Sequence, residues 1–222
     1  MKKVFSSLLK GLEKSIEFII ALLIIVLILV AFIPIRIMFP TKIIGRKNLR
    51  SVKGGKLVAS NHFSNLDIII LIVTFYPITF TRKVLAKIEL AKNWLVKIVL
   101  KGIGAIFIDR SKVDMRAMKE TTKQLQKGKT VIMFPEGTRN KGTSEETNTL
   151  KNGVVFFAQR ADATIIPVVI LHRPKLFRFN KIIVCEGYKI DKTQKVDMDQ
   201  EVQRLTSVFS ETRKKYTAKV EG

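Results

Sequence analysis

Residues 56–75 read KLVASNHFSNLDIIILIVTF, and this stretch contains the pattern that decides the fold. Its first five residues, KLVAS, predict a short buried strand. Ile68–Phe75 is apolar on every side, as expected of a buried helix. A polar loop between the two elements carries His62 and Asp67. The stretch therefore predicts a strand-loop-helix unit of an α/β fold, with a histidine and a carboxylate at the end of the strand.

The chain after Gly45 continues to alternate short apolar runs with helical or turn segments. We predict further strands at Gly104–Asp109, Thr130–Phe134, Thr164–Leu171 and Lys181–Cys185, and further helices at Met115–Gln126, Asn152–Arg160 and Asp199–Tyr216. Pro167 indicates a sheet edge or a bulge, because proline donates no ladder hydrogen bond. Strands that alternate with helices predict an α/β fold. We expect one domain, residues 41–222, with a mixed, largely buried sheet flanked by helices.

The composition combines high hydrophobicity with a large positive charge. Hydrophobic residues make up 47% of the 222 residues, and 40 Lys and Arg against 18 Asp and Glu give a net charge of +22. A disordered chain would have low hydrophobicity, so a folded domain with a polyanionic partner is indicated. That partner is nucleic acid, an anionic membrane surface or an acidic substrate. The single cysteine, Cys185, excludes a disulfide framework and lies in an apolar run that predicts a small buried side chain.

An apolar segment near the N-terminus predicts membrane attachment. Phe18–Ile33 contains no charged residue, and with Pro34 and Ile35 the run reaches about 18 residues, the lower limit for crossing a bilayer. A cleaved signal peptide is disfavoured, because Arg36–Phe39 offers no small-residue cleavage site. We predict a membrane-anchoring segment at residues 1–40 that spans the bilayer as a transmembrane helix or lies in its interface. Basic residues after it favour a domain on the cytoplasmic face.

The spacing of His62 and Asp67 allows contact in only one arrangement. Two groups five positions apart on a helix lie about 140° from each other, so they cannot meet if both are helical. They meet if His62 lies in the loop and Asp67 in the first helical turn, where Ser64 and Asp67 have the form of a capping box. Such a pair makes a general base. The alternative is a capping aspartate beside an unrelated exposed histidine.

A second polar segment, FPEGTRN at residues 134–140, follows another predicted strand. Gly137 permits close backbone approach to a ligand, Thr138 offers a hydroxyl, and Arg139 can grip a phosphate with two donors. Polar residues at strand ends are where α/β folds place their sites. Arg110 follows a further strand and is a second candidate for phosphate binding. The alternative is an ordinary strand-to-loop turn with solvated charges.

These segments together resemble the four sequence blocks of the glycerolipid acyltransferases. The resemblance is greatest to the bacterial 1-acyl-sn-glycerol-3-phosphate acyltransferases, and it covers about residues 40 to 175. The matching stretches are the HxxxxD motif of His62 and Asp67, Gly104–Arg110, Phe134–Arg139 and Ile166–Val168, with Leu85–Leu90 and Leu150–Gly153 as additional similar stretches.

The resemblance implies that His62 deprotonates the sn-2 hydroxyl of lysophosphatidate, which attacks an acyl thioester to give phosphatidate without an acyl-enzyme. It implies that Asp67 orients His62. The implied donor is an acyl carrier protein or coenzyme A thioester, with no metal or other cofactor. The expected location is the bacterial inner membrane, in contact with anionic lipids. The implied substrate-binding residues are Arg110, Glu136, Gly137, Thr138, Arg139 and Lys87.

Two further sequence features and two alternative functions complete the predictions. The run Arg82–Lys87, followed by Trp94, Lys97 and Lys101, mixes basic and apolar residues and suits a membrane interface or a solvated helix face. His172 is predicted to be a loop residue. The first alternative function is acyl transfer to another lysolipid. The remote alternative is membrane-tethered nucleic-acid binding, which is disfavoured because the basic residues are scattered and no nucleic-acid motif occurs.

Overall fold

The computed structural model describes residues 12, 15, 19, 23, 26, 30, 32–75, 82–139, 149–191 and 196–218. Most of the predicted membrane-anchoring segment lies outside these residues, and 32–38 are helical. Across the described residues, no helix combines the length and the apolar character needed to cross a membrane. The transmembrane helix and the domain boundary at residue 40 stay predictions.

The described residues form one sheet of seven strands with helices on both faces. The strands are β1 (Thr41–Ile44), β2 (Lys56–Ser60), β3 (Arg82–Lys87), β4 (Ala105–Ile108), β5 (Thr130–Met133), β6 (Thr164–Ile170) and β7 (Asn180–Val184). After residue 38, the helices are α1 (Arg46–Arg50), α2 (Leu66–Phe75), α3 (Trp94–Gly102), α4 (Met115–Gln126), α5 (Gly153–Ala161) and α6 (Met198–Thr217), with a 3-10 helix at Ile88–Lys92.

The strand order is β1-β7-β6-β2-β5-β3-β4. The five strands from β6 to β4 in this order are parallel to one another. β7 runs antiparallel to β6, and β1 runs parallel to β7, so the predicted mixed sheet is confirmed. Because the five parallel strands end at the same edge of the sheet, the loops that follow them meet there. We call this edge, where β2 to β6 end, the carboxyl edge.

The sheet is buried on both faces, which gives the domain two apolar layers. Along β2, Leu57 and Ala59 pack into one buried cluster and Val58 into the other, as the alternation of side chains in a strand requires. Helices α4, α5 and α6 contribute to the first cluster, and α1 and α2 to the second. Both faces of β2 are therefore held rigidly, and so is the loop that it feeds.

Local sequence signals located several elements to within a residue or two. The predicted bounds of β2 and α4 are confirmed. Helix α4 begins where Asp114 accepts a hydrogen bond from the backbone N–H of Ala117 at 3.0 Å. It ends before Gly128, whose φ of +74° is a left-handed conformation that favours glycine.

Two strands were not predicted from the sequence. β1 has only four residues, and β3 begins and ends with basic residues around the buried Val84, Leu85 and Ala86. Assigning the whole run Arg82–Lys87 to a membrane interface or a solvated helix face was therefore wrong. It is an interior strand between β5 and β4. Only the part of that prediction from Trp94 onward falls on an exposed helix.

Pro167 lies in an interior strand, so the edge alternative was wrong and the bulge alternative is confirmed. β6 has β2 on one side and β7 on the other. Val168 pairs with Val184, and pairing resumes at Ile165 with Tyr188. Between these two pairs, β6 has two residues, and the segment that follows β7 has three. This bulge beside Pro167 accommodates the missing N–H within the sheet.

Candidate active site

His62 and Asp67 form a hydrogen-bonded pair at the carboxyl edge. His62 lies in the loop after β2, and Asp67 lies in the first turn of α2. His62 Nδ1 is 2.8 Å from Asp67 Oδ2. The Asp67 side chain is 0% exposed and that of His62 is 15% exposed. The predicted loop-to-helix arrangement is thus confirmed, and His62 Nε2 is the imidazole nitrogen left for a substrate.

The Asp67 carboxylate also holds the loop that carries His62. Its Oδ2 accepts from the backbone N–H groups of Phe63 at 2.6 Å and Ser64 at 2.7 Å. The Asp67 half of the predicted capping box is therefore present, while Ser64 Oγ accepts from the N–H of Leu66 at 3.2 Å instead of that of Asp67. One carboxylate therefore serves both the helix start and the imidazole, and it fixes their relative position.

The imidazole is held by the neighbouring strand as well. Its ring stacks on Phe134, with ring centroids 4.0 Å apart and an angle of 20° between the planes. The backbone N–H of His62 donates to Glu136 Oε1 at 3.2 Å. Phe134 and Glu136 follow β5, which pairs directly with β2. The pairing of these two strands therefore brings the second predicted segment against the first.

Asn61 is a supporting residue for which the sequence analysis predicted no role. Its buried side chain pairs with the backbone of Ile170 at the end of β6. Nδ2 donates to the Ile170 carbonyl at 2.9 Å, and Oδ1 accepts from the Ile170 N–H at 2.7 Å. Through these bonds, the Asn61 side chain continues the pairing of β2 with β6 beyond the end of β2. Its position directly before His62 was the only sequence signal.

A cavity of about 310 Å³ opens beside His62. Five of the six predicted substrate-binding residues line it, namely Lys87, Arg110, Gly137, Thr138 and Arg139. The rest of the lining is mostly apolar and includes Ile68, Leu85 and Leu90. Glu136 is buried and contacts the His62 backbone instead of the cavity wall. The substrate contact proposed for Glu136 stays a prediction.

The turn after β5 shapes the cavity rim. Gly137 has a φ of +71°, a left-handed conformation that favours glycine, and a Cβ at this position would meet only the flexible end of Lys151. The N–H of Gly137 donates to the Phe134 carbonyl at 3.1 Å. Arg110 Nη1 donates to the Gly137 carbonyl from the opposite side of the rim. The turn thus joins the ends of β4 and β5.

The cavity is electropositive. None of the described residues that line it is acidic, and it carries Lys87, Arg110 and Arg139. Lys87 Nζ lies 3.0 Å from Glu89 Oε1, an exposed pair next to the rim. Arg110 is exposed, yet partial loss of solvent around it lowers the pKa of its guanidinium, and Glu89 opposes that shift. A guanidinium stays protonated in proteins, so the site presents fixed positive charge to an anionic group.

A second cavity of about 320 Å³ adjoins the first and is mainly apolar. It shares Leu85, Arg110, Phe134 and Gly137 with the first cavity. Its deeper wall comes from α4, α5 and β5 and includes Met118, Met133 and Phe157. A basic compartment thus adjoins a more apolar one.

A family model described as Acyltransferase matches residues 40–171, which include β2, the His62–Asp67 pair and the turn after β5. The chain belongs to the acyltransferase family. The predicted membership is confirmed.

The sequence is similar to that of acyltransferases from two bacteria. This acyltransferase is 38% identical over 152 residues to a probable 1-acyl-sn-glycerol-3-phosphate acyltransferase of Mycoplasma pneumoniae, over 62% of this chain and 54% of that protein. It is 32% identical over 150 residues to the 1-acyl-sn-glycerol-3-phosphate acyltransferase of Borreliella burgdorferi, over 67% of this chain and 57% of that protein. The chain spans about half the length of these curated relatives.

The fold is shared with a solved structure. The crystal structure of the 1-acyl-sn-glycerophosphate (LPA) acyltransferase PlsC from Thermotoga maritima superposes with a TM-score of 0.62. The match covers 80% of this chain and 72% of that chain at 22% sequence identity. At this identity the comparison establishes the common α/β acyltransferase fold.

Proposed function

We propose that this acyltransferase moves an acyl group from a thioester to the sn-2 hydroxyl of 1-acyl-sn-glycerol-3-phosphate and so forms phosphatidate. The observation that carries the proposal is the 2.8 Å His62–Asp67 pair at the wall of a cavity that also holds Arg139. This arrangement suits a substrate with a hydroxyl and a phosphate on one small backbone. The names of the two relatives support the same acceptor.

The proposed mechanism begins with the acceptor hydroxyl. Nε2 of His62 takes the proton of the hydroxyl while Nδ1–H donates to Asp67, whose charge stabilises the imidazolium. The hydroxyl oxygen then forms a bond to the thioester carbonyl carbon. Collapse of the tetrahedral adduct breaks the carbon–sulfur bond, and the imidazolium returns its proton to the departing thiolate. No acyl-enzyme forms, because the acceptor oxygen is itself the nucleophile.

The cationic rim binds the acceptor phosphate in this proposal. Arg139 and Arg110 lie on the two sides of the Gly137 turn and supply the charge. Thr138 adds a hydroxyl, and Lys87 completes the rim. Phosphate oxygens prefer such guanidinium donors, which bind in a bidentate manner. The adjoining cavity, with Met118, Met133 and Phe157, offers apolar surface for an acyl chain.

The donor is an acyl carrier protein or a coenzyme A thioester, and both are anionic. A chain with a net charge of +22 attracts either one, and it also attracts the anionic membrane lipids among which the acceptor resides. We therefore place the enzyme at the cytoplasmic face of the bacterial inner membrane. We propose no metal and no further cofactor for the reaction.

Transfer of a labelled acyl group to detergent-dispersed lysophosphatidate tests the proposal. We expect His62→Ala to lower turnover by about 10² to 10⁴, the usual contribution of a general base. His172→Ala removes the only other histidine of the chain, on an exposed loop, and we expect wild-type turnover from it. Substantial activity in folded His62→Ala protein would refute the mechanism.

A panel of lysolipid acceptors separates the proposed substrate from the first alternative. We expect Arg139→Ala to raise the KM for lysophosphatidate more than it lowers kcat, because the lost contact is to a phosphate that does not react. Activity on another lysolipid without activity on lysophosphatidate would replace the proposed acceptor but keep the acyl transfer chemistry.

A further inference from the structure

The connection between β6 and β7 presents aromatic side chains to solvent. Residues 173–179, which we call the aromatic loop, read RPKLFRF. Leu176 is 49% exposed, Phe177 is 68% exposed and Phe179 is 79% exposed. Three exposed cations, Arg173, Lys175 and Arg178, lie among them, and the loop contains no acid. An apolar cluster of this kind on a surface marks an interaction site.

The aromatic loop is held in place by hydrogen bonds to its backbone. The N–H of Phe177 donates to the Met38 carbonyl at 2.7 Å. The buried Asn180 side chain accepts from the N–H of Lys175 at 3.4 Å and donates to the carbonyl of Arg178 at 3.1 Å. Phe177 has a φ of +54°, which bulky residues rarely adopt. The exposed phenylalanines are therefore part of a defined conformation.

The aromatic loop lies at the same edge of the sheet as the active site. β6 is parallel to β2, so the loop after β6 and the His62 loop leave the sheet at the carboxyl edge. The side-chain bonds from Asn61 to Ile170 join the two strand ends directly. Thr41 of β1 pairs with Asn180 of β7, so the chain enters β1 at this edge too. Residues 32–38 therefore approach the sheet beside the aromatic loop.

Exposed apolar residues flank the cavity on both sides. Next to the aromatic loop, Ile33 is 65% exposed and Ile37 is 64% exposed. Beyond the cavity, the segment after β3 exposes Leu90 by 45% and Trp94 by 66%. Leu90 itself lines the cavity. The carboxyl edge thus presents apolar groups on both sides of an electropositive opening.

We propose that the aromatic loop is a membrane-docking element that inserts Phe177 and Phe179 into an anionic lipid bilayer and turns the His62 cavity toward the membrane surface. Phenylalanine side chains of basic surface elements bury at the boundary between headgroups and acyl chains, and neighbouring cations bind anionic headgroups. An acidic protein partner would explain the cations but would leave the exposed phenylalanines without contacts. The biological purpose of docking, access to a lipid acceptor, rests on the proposed function.

Tryptophan fluorescence of the full chain tests the docking directly. Trp94 is the single tryptophan, so Trp94→Phe gives a background in which Phe179→Trp reports on the aromatic loop. With vesicles of phosphatidylcholine and phosphatidylglycerol, we expect its emission to shift to the blue and to be quenched by brominated lipid. Lys127→Trp in the same background places the reporter in an exposed turn at the opposite edge of the sheet, where we expect neither effect.

Charge reversal at two sites, with the same change in net charge at each, tests the role of the cations. We expect Lys175→Glu with Arg178→Glu to reduce the quenching of the Phe179→Trp reporter by at least about threefold on anionic vesicles. Lys53→Glu with Lys127→Glu makes the same change in charge at the opposite edge and should leave the quenching unchanged. An equal effect from both pairs would overturn the specific role of the loop.

Parallel activity measurements keep the two proposals distinguishable. We expect Phe177→Ser with Phe179→Ser to lower acyl transfer to vesicle-embedded lysophosphatidate while transfer to detergent-dispersed lysophosphatidate is retained. A reporter that responds to an acyl carrier protein but not to vesicles would overturn the docking proposal. Vesicle quenching without acyl transfer to any lysolipid would support docking and reject the proposed function.

Discussion

Replacement of Asp67 by asparagine removes the negative charge of this side chain and keeps its shape. Oδ2 of Asp67 accepts from His62 Nδ1 at 2.8 Å and from the backbone N–H groups of Phe63 at 2.6 Å and Ser64 at 2.7 Å. The amide oxygen of asparagine can occupy the same position and accept from the same three donors. The loop and the imidazole orientation are therefore expected to survive.

The magnitude follows from those three bonds. A hydrogen bond to a charged group is worth about 1 kcal/mol more than a neutral one, so losing the charge weakens the set by about 3 kcal/mol. Relief of the desolvation cost of a carboxylate that is 0% exposed offsets part of this loss. We expect the free energy of unfolding to fall by about 1 to 3 kcal/mol. We expect kcat to fall by about 10² to 10⁴, because the imidazolium loses its counter-charge.

The assay pairs acyl transfer kinetics with urea denaturation. We expect an almost unchanged KM for lysophosphatidate, because Asp67 does not line the cavity. Asp197→Asn is the matched control. Asp197 accepts from the N–H groups of Asp199 and Gln200 at the start of α6, without a histidine partner. We expect wild-type kcat from this control. A folded Asp67→Asn protein with kcat within about tenfold of wild type would show that Asp67 only caps the helix.

Three further predictions follow from the same structure. We expect Glu136→Gln to lower kcat with little change in KM, because Glu136 contacts the His62 backbone. A dominant rise in the KM for lysophosphatidate would show that Glu136 contacts the substrate instead. Asn61→Leu leaves the N–H and the carbonyl of Ile170 without their side-chain partner. Urea denaturation should show that the free energy of unfolding falls by about 2 to 5 kcal/mol. A fall below about 1 kcal/mol would contradict the role of this pair. Burial raises the pKa of Cys185, so its thiol stays protonated at neutral pH. Mass spectrometry should therefore detect slower alkylation by iodoacetamide in the folded protein than in the urea-unfolded chain. Equal rates would contradict this prediction.

The elements that the sequence located well are those with strong local signals. β2 and α4 were predicted with the bounds that the structure gives them. Helix α4 carries its own start and stop, Asp114 and Gly128. β1 has only four residues, and β3 carries basic residues at both of its ends, so neither strand shows a strong local signal. β1 is stabilised by pairing with the distant β7, where Thr41 pairs with Asn180, and β3 by pairing with β4 and β5 on its two sides.

The contacts of the candidate site likewise divide into local ones, which the sequence predicts, and long-range ones, which it does not. The contact of His62 with Asp67 spans five residues and depends on one loop-to-helix junction, so spacing and capping chemistry were sufficient to predict it. The bonds from Asn61 to Ile170 span 109 residues, and no local pattern indicates them. The stacking of His62 on Phe134 likewise depends on β2 pairing with β5.

The sequence by itself therefore determined the chemistry of this protein: a histidine with a carboxylate behind it, a glycine turn with an arginine, and the strand and helix that carry the first pair. The tertiary structure decided which strand ends lie side by side. It buried Glu136 under the His62 loop and placed the aromatic loop at the same edge as the cavity. The physical reason is that a turn or helix start is stabilised by neighbours along the chain, whereas the order of strands in a sheet is set by burial of both its faces.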